Sequence, residues 1–182
     1  MQSINYLNQW LGENANEKHY LFFSSDLRPL LPKLSDGAFK TLLSRAVSHG
    51  LLIRLCKGLY LYPKAQPQDG LLLYHAAAVL RSNTFNYISL ETVLSDAGVI
   101  SQVPLNWITL MTSGRSYKFS CGKYGTIEFV HTNQKPSDLA DLLAYDPRCG
   151  LWKASVSLAL RDMKATHRSC DLIDWELANE LI

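Results

Sequence analysis

Apolar residues recur at helical spacing in three places early in the chain. Ile4, Leu7 and Leu11 share one face with Trp10 alongside, and residues 12–16 read as the exit. A short second helix through Leu27 and Leu30 has Ser24 or Ser25 as its expected cap and Pro32 as its stop. Phe39, Leu42, Leu43, Ala46 and Val47 then follow the i, i+3, i+4, i+7, i+8 rule of one buried stripe, with Ser35 capping and Gly50 ending the helix. After that the period changes to two. Residues 51–56 and 59–62 read as strands joined by a tight Lys57-Gly58 turn and ended by Pro63.

Helix, helix, helix, hairpin is the order of a winged helix-turn-helix, in which the third helix enters the DNA major groove and the hairpin wing touches the backbone or minor groove. At 100° per residue, the face opposite the apolar stripe is Gly37, Thr41, Ser44 and Ser48, flanked by Lys40 and Arg45. Small polar residues bordered by cations suit close approach to a groove together with phosphate contacts. Lys40, Thr41, Ser44 and Arg45 are therefore the expected DNA-facing residues of the helix, and Arg54 and Lys57 those of the wing. Winged helices also serve as protein-docking surfaces, which is the competing reading.

Residues 64–70, polar with one Pro and one Gly, read as the linker, giving a winged helix over residues 1–65 and a second domain over 71–182. The second part opens with the apolar helix LLLYHAAAVLRS, then YISLETVLSDAGVI, a strand entry and a short helix closed by Gly98. WITLMT, SYKFSCG and GTIEFVHT read as three strands joined by turns at Ser113-Gly114 and Lys123-Tyr124-Gly125. Helices are expected over 152–165 and 171–181, the last capped by Asp171. The fold class expected is α+β, with a small α+β domain following the winged helix.

Composition adds bounds. The 182 residues fit one large domain or two small ones, and 47% hydrophobic with 19% charged residues excludes disorder as the main state. No apolar run approaches the ~18–20 residues of a membrane-spanning helix. The start, MQSINYLNQW, lacks the basic and apolar regions of a secretory signal. Cys56, Cys121, Cys149 and Cys170 are scattered with no Cys-x-x-Cys pair, so a zinc site is not expected, and a reducing cytoplasm is.

The net charge is only +2, but it is unevenly divided. Residues 1–65 hold eight bases and four acids, a balance of +4, leaving ten bases and twelve acids, a balance of −2, for the remainder. Because phosphate attraction acts within a Debye length of ~8–10 Å, the local balance matters more than the total.

Catalytic chemistry finds little footing. There is no Gly-x-Ser-x-Gly, P-loop or dinucleotide fingerprint. Tyr74-His75 offers a base that also fits a hydrogen-bonded core histidine, His131 with Cys121 is a thiol–imidazole pair only if their strands align, and Glu91 and Asp96 share one short helix. Arg115, Lys118 and Lys123 form a second basic cluster best read as the wet face of a sheet. Asp171, Asp174, Glu176 and Glu180 gather on the last helix, where Asp171 and Asp174 suit its positive N-terminus. No enzyme activity, cofactor or metal is expected.

The run LLSRAVSHGLLIRLCKGLYLYP resembles the N-terminal winged helix of AbiEi-family antitoxins, the regulators of type IV toxin–antitoxin and abortive-infection operons. YISLETVLSDAGVISQVP is similar to that family's helix after a Ser-Leu-Glu entry, GTIEFVHT to its following strand, and WKASVSLALRDM through DLIDWELANELI to its closing helices. Lys153-Ala154-Ser155-Val156 departs from the family's Pro-Glu-Lys-Ala-like helix start. The resemblance runs from about Phe23 onward. It implies a non-enzymatic antitoxin that binds inverted repeats of double-stranded DNA in its own promoter and counteracts a nucleotidyltransferase-like toxin, the second domain serving neutralisation. Two alternatives remain: direct sequestration of the toxin, and a ligand-responsive regulator with a pocket around Tyr74, His75 and Tyr87.

Overall fold

The computed structural model describes residues 3–101 and 106–182, so residues 102–104 of the run resembling the antitoxin family lie outside the described residues. The chain divides into one compact unit ending at Gly70 and a second from Leu71 to Ile182. Both units mix helices with a sheet, and the fold class is α+β.

In the first unit, α1 (Ser3–Asn14) buries Leu7 and Leu11. The strand β1 (Leu21–Phe23) follows, then α2 (Ser24–Leu27) and a 3₁₀ turn over Arg28–Leu30. Ser24 is the first helical residue and not the cap: Asp26 reaches back instead, its carboxylate accepting from the Phe23 N–H at 2.7 Å. The helix α3 (Asp36–Ser48) is capped by Ser35, whose Oγ accepts from the Ala38 N–H at 3.3 Å, and its stripe of Phe39, Leu42, Leu43 and Ala46 is buried. β2 (Ile53–Cys56) and β3 (Leu59–Leu61) form the hairpin.

Sequence periodicity misses β1, three residues long. It pairs antiparallel with β3 through Leu21↔Leu61 and Phe23↔Leu59, so the hairpin belongs to a three-stranded sheet of order β1-β3-β2. One cluster, including Leu7, Leu11, Phe22, Leu27, Phe39 and Leu52, fills the space between sheet and helices. Residues 64–70 belong to this unit, and Ala65 packs against that core.

The second unit carries α4 (Leu72–Leu80), β4 (Asn86–Ile88), α5 (Leu90–Asp96), β5 (Trp107–Thr112), β6 (Tyr117–Ser120), β7 (Thr126–His131), β8 (Leu143–Asp146), β9 (Leu151–Ala154), α6 (Val156–Ala165) and α7 (Trp175–Glu180). Its strands form a mixed sheet of order β6-β7-β5-β4-β9-β8. The turn at Ser113-Gly114 does not make a hairpin, because β7 lies between β6 and β5 and runs parallel to β5. Gly125, at φ 123°, lets the chain at Asn106 come so near that a Cβ there would sit 1.9 Å from the Asn106 carbonyl oxygen. The helix α5 packs on both α6 and β5.

Two expected helices are shorter than the sequence suggests. Trp152, Lys153 and Ala154 are strand, paired with both β8 and β4, and α6 begins only after Ser155, whose Oγ accepts from the Leu158 N–H at 3.3 Å. The last helix starts at Trp175. Its cap is Asp174, accepting from the Glu176 and Leu177 N–H groups at 3.1 Å each, and not Asp171. The preceding chain turns at residues 171–172 and is then pinned by an Ile100↔Ile173 bridge and by the Asp174 N–H donating to the Val99 carbonyl at 2.8 Å.

Candidate nucleic-acid interface

The buried stripe of α3 fixes what faces outward. Lys40, Thr41, Ser44 and Arg45 are all exposed, as are Gly37 and Ser48. The hydroxyls of Thr41 and Ser48 donate back to the Gly37 and Ser44 carbonyls at 3.0 and 3.1 Å, which lays them along the helix and keeps this face low. Arg54 projects from β2 and Lys57 from the turn, both exposed. That turn is fixed from behind, since the Ser24 N–H donates to the Gly58 carbonyl at 2.9 Å.

Among the described residues Lys40, Arg45, Arg54 and Lys57 form no ion pair, and the chain has no carboxylate at all between Asp36 and Asp69. Arg28 is different. Its guanidinium is committed to Asp36 at 3.3 Å and to the Leu31 and Leu34 carbonyls at 2.8 Å each, and it lies over the Phe39 ring, so it staples the entry to α3. Beside Thr41 and Arg45 runs an open groove of about 480 Å³ whose other wall includes Ser3 and Ile4 of α1.

In the second unit the structure separates most of the groups that catalysis would need together. His131 ends β7 with its ring held by the Gly114 carbonyl at 2.7 Å and by the side-chain amide of Asn133 at 3.0 Å, whereas Cys121 meets Gly125 at the opposite end of the β6–β7 pair. They form no thiol–imidazole pair. The His75 ring lies 2.8 Å from the Arg148 carbonyl. Burial, then Asp96 and Cys149, push the Tyr74 hydroxyl up to about 12. Tyr87 is fully buried with its hydroxyl donating to Asp162 at 3.0 Å, so it lines no open pocket with Tyr74 and His75. Glu91 pairs with Arg168 and Asp96 with Lys153, which sets the two carboxylates apart in role. Lys118 pairs with Glu128 at 3.4 Å and sits over Trp107, while Lys123 lies over Tyr124. Among the described residues no cluster of His, Cys, Asp or Glu is placed to hold a metal, and no helix is long and apolar enough to cross a membrane.

Sequence reasoning overlooked a polar network at the heart of this unit. Asp162 accepts from Ser89 Oγ at 2.7 Å, from Tyr87, and from Gln134 Nε2 at 2.8 Å. A signal was present: Asp162 falls on the apolar stripe of α6, four residues after Leu158, where a polar side chain must be buried.

Residues 16–144, well over half of the chain, match a family of unknown function, DUF6088. The chain belongs to DUF6088. No curated protein matches it. The crystal structure of the RV2827C protein from Mycobacterium tuberculosis is similar to this DUF6088 member with a TM-score of 0.58 at 15% identity. The match covers 92% of this chain and 63% of that one, so the likeness is one of fold and the DUF6088 chain spans less than two thirds of that protein's length.

Proposed function

We propose that this chain is a DNA-binding antitoxin that represses its own operon, with a winged helix-turn-helix formed by α1, β1, α2, α3 and the β2–β3 hairpin. The third strand β1, which turns the hairpin into a sheet of order β1-β3-β2, supports that reading. In it α3 enters the major groove through Lys40, Thr41, Ser44 and Arg45, and Arg54 and Lys57 meet the backbone from the wing. The observation that carries the proposal is the charge of this surface: four exposed cations without a carboxylate partner, on a stretch of chain free of acids. A solvated face of ordinary mixed charge would intersperse both signs.

The resemblance of both halves to AbiEi antitoxins supplies the biological setting. The operator is then an inverted repeat in the chain's own promoter, the functional partner a nucleotidyltransferase-like toxin encoded beside it, and the compartment the cytoplasm. A gel-shift titration on DNA from upstream of its own gene tests the first half. Replacing Lys40, Arg45 and Lys57 together by Ala is expected to weaken binding by about 100-fold or more, at roughly 1 kcal/mol or more per lost contact. Unchanged binding would falsify the winged-helix assignment. For the second half, co-expression with the neighbouring toxin should restore growth, and persistent toxicity with soluble antitoxin present rejects the antitoxin role.

A further inference from the structure

We propose that a cleft of about 510 Å³ in the second unit, between the end of β7 and α6, binds a small organic oxyanion, a carboxylate or phosphate monoester carried on a compact apolar body. The cleft shares no residue with α3 or the hairpin, so the proposal stands apart from the DNA-binding one.

The strongest hydrogen-bond donor in its lining is Arg161. Arg161 is exposed, and among the described residues its one hydrogen bond is from Nη2 to Gln134 Oε1 at 2.7 Å, which leaves Nε, Nη1 and the second Nη2 hydrogen unpaired. No carboxylate lines the cleft. Met111 and Ala165 supply an apolar wall, and the volume is that of small-molecule sites.

An exposed arginine is by itself an ordinary surface feature. What distinguishes this one is the support behind it. Gln134, which holds the guanidinium, is itself held by Nε2 donating to Asp162 Oδ1 at 2.8 Å and to the Tyr87 hydroxyl at 3.3 Å, and Asp162 and Tyr87 are completely buried. The fork of Arg161 is thus fixed by a chain of hydrogen bonds rooted in the core, and a fixed guanidinium presents two parallel donors to an oxyanion. The unpaired hydrogens of the guanidinium select an acceptor-rich, negatively charged group, and the apolar wall selects a body beyond the bare ion.

The test is calorimetric titration of the full chain with AMP, salicylate, inorganic phosphate and adenosine, each to about 5 mM, where even weak site binding registers. AMP or salicylate is expected to bind, inorganic phosphate more weakly, and adenosine not at all. Binding by AMP alone identifies the phosphate monoester as the ligand class, and by salicylate alone the carboxylate. Arg161→Gln should weaken the bound probe by about tenfold or more. Arg161→Lys, which keeps the charge and loses the fork, should fall between the two and serves if the first variant does not fold. No binding by AMP or salicylate, adenosine binding as well as AMP, or affinity unchanged in both Arg161 variants overturns the proposal.

Discussion

Asp162 is fully buried, and among the described residues three neutral donors and no cation are in hydrogen-bond contact with it. Burial raises its pKa above the ordinary carboxylate value, and the bonds from Ser89, Gln134 and Tyr87 offset that only in part. A carboxyl raised in the folded state contributes stability that is complete below its unfolded pKa of about 3.9 and is lost as pH rises through the folded value. Asn in its place can still accept from Gln134 while the two hydroxyls reorient, and it has no such loss. Urea midpoints of the wild type should therefore fall relative to Asp162→Asn as pH rises from 4 to 7; a constant gap would contradict the raised pKa. Asp162→Ala strands three buried donors and should cost on the order of 3 kcal/mol in the same measurement. Glu128 has the opposite sign. Burial pushes its carboxyl up, but the Arg168 hydrogen bond and charge, then Trp107 and Lys118, outweigh it and hold the pKa below the usual range. Its contribution is present above pH about 4.3 and lost on acidification through the lower folded value. Arg168 joins Glu128 at 3.1 Å to Glu91, so Arg168→Met leaves two carboxylates without their shared cation. The expected cost is about 2 kcal/mol at pH 7, below the ~3–5 kcal/mol of a fully buried pair because Arg168 is 24% exposed. Once low pH protonates Glu128, which has lost its main cation in the variant, the cost should shrink; urea melts at pH 7 and 4 that gave equal losses would reject this account.

Elements were legible where the side-chain period had room to repeat. The stripe of α3 spans two turns and a serine cap, and both its burial and its outward face follow from spacing alone. Three residues of β1 carry no period, and the strand exists because Leu21 and Phe23 find β3, a partner nearly forty positions later. The error at 152–165 has a different cause. Trp152 and Ala154 continue an apolar helical pattern into α6, but a neighbouring strand on each side makes ladder hydrogen bonds available, and Ser155 then starts the helix. Placement of β7 between β5 and β6 depends on non-local pairing that turn residues do not encode. The wing offers a test at this scale. Gly58 has φ +80° with nothing within 4 Å of where a Cβ would stand, so substitution there is a question of backbone conformation alone. Gly58→Ala should cost about 1–2 kcal/mol, and Gly58→Asn less, because Asn tolerates the left-handed region. Thermal unfolding measures both, and equal losses would mean that the turn's conformation is not what Gly58 supplies.

Across the whole molecule, the sequence revealed the basic surface more readily than the second unit's polar network, and for a physical reason. Exposed cations announce themselves by composition, whereas the Asp162 network joins residues from β4, α6 and the chain after β7 that are up to 75 positions apart. The same contrast governs binding. A balance of +4 over residues 1–65 and −2 over the remainder gives a weak general field, so affinity for DNA must come from placed contacts. If Lys40, Arg45, Arg54 and Lys57 each neutralise one phosphate, the dependence of log K on log salt has a slope of about −3.6 per bound copy, at roughly −0.9 per phosphate. Raising salt from about 50 to 200 mM would then cost on the order of 100-fold per copy. Lys57→Ala should lower the slope by about one and weaken operator and unrelated DNA alike, because a wing lysine on phosphate carries no sequence information. Ser44→Ala should leave the slope unchanged and narrow the gap between operator and unrelated DNA. Fluorescence anisotropy across a salt series separates the two: a slope near zero in the wild type would remove the phosphate contacts, and identical behaviour of the two variants would remove the division between groove-reading helix and backbone-touching wing.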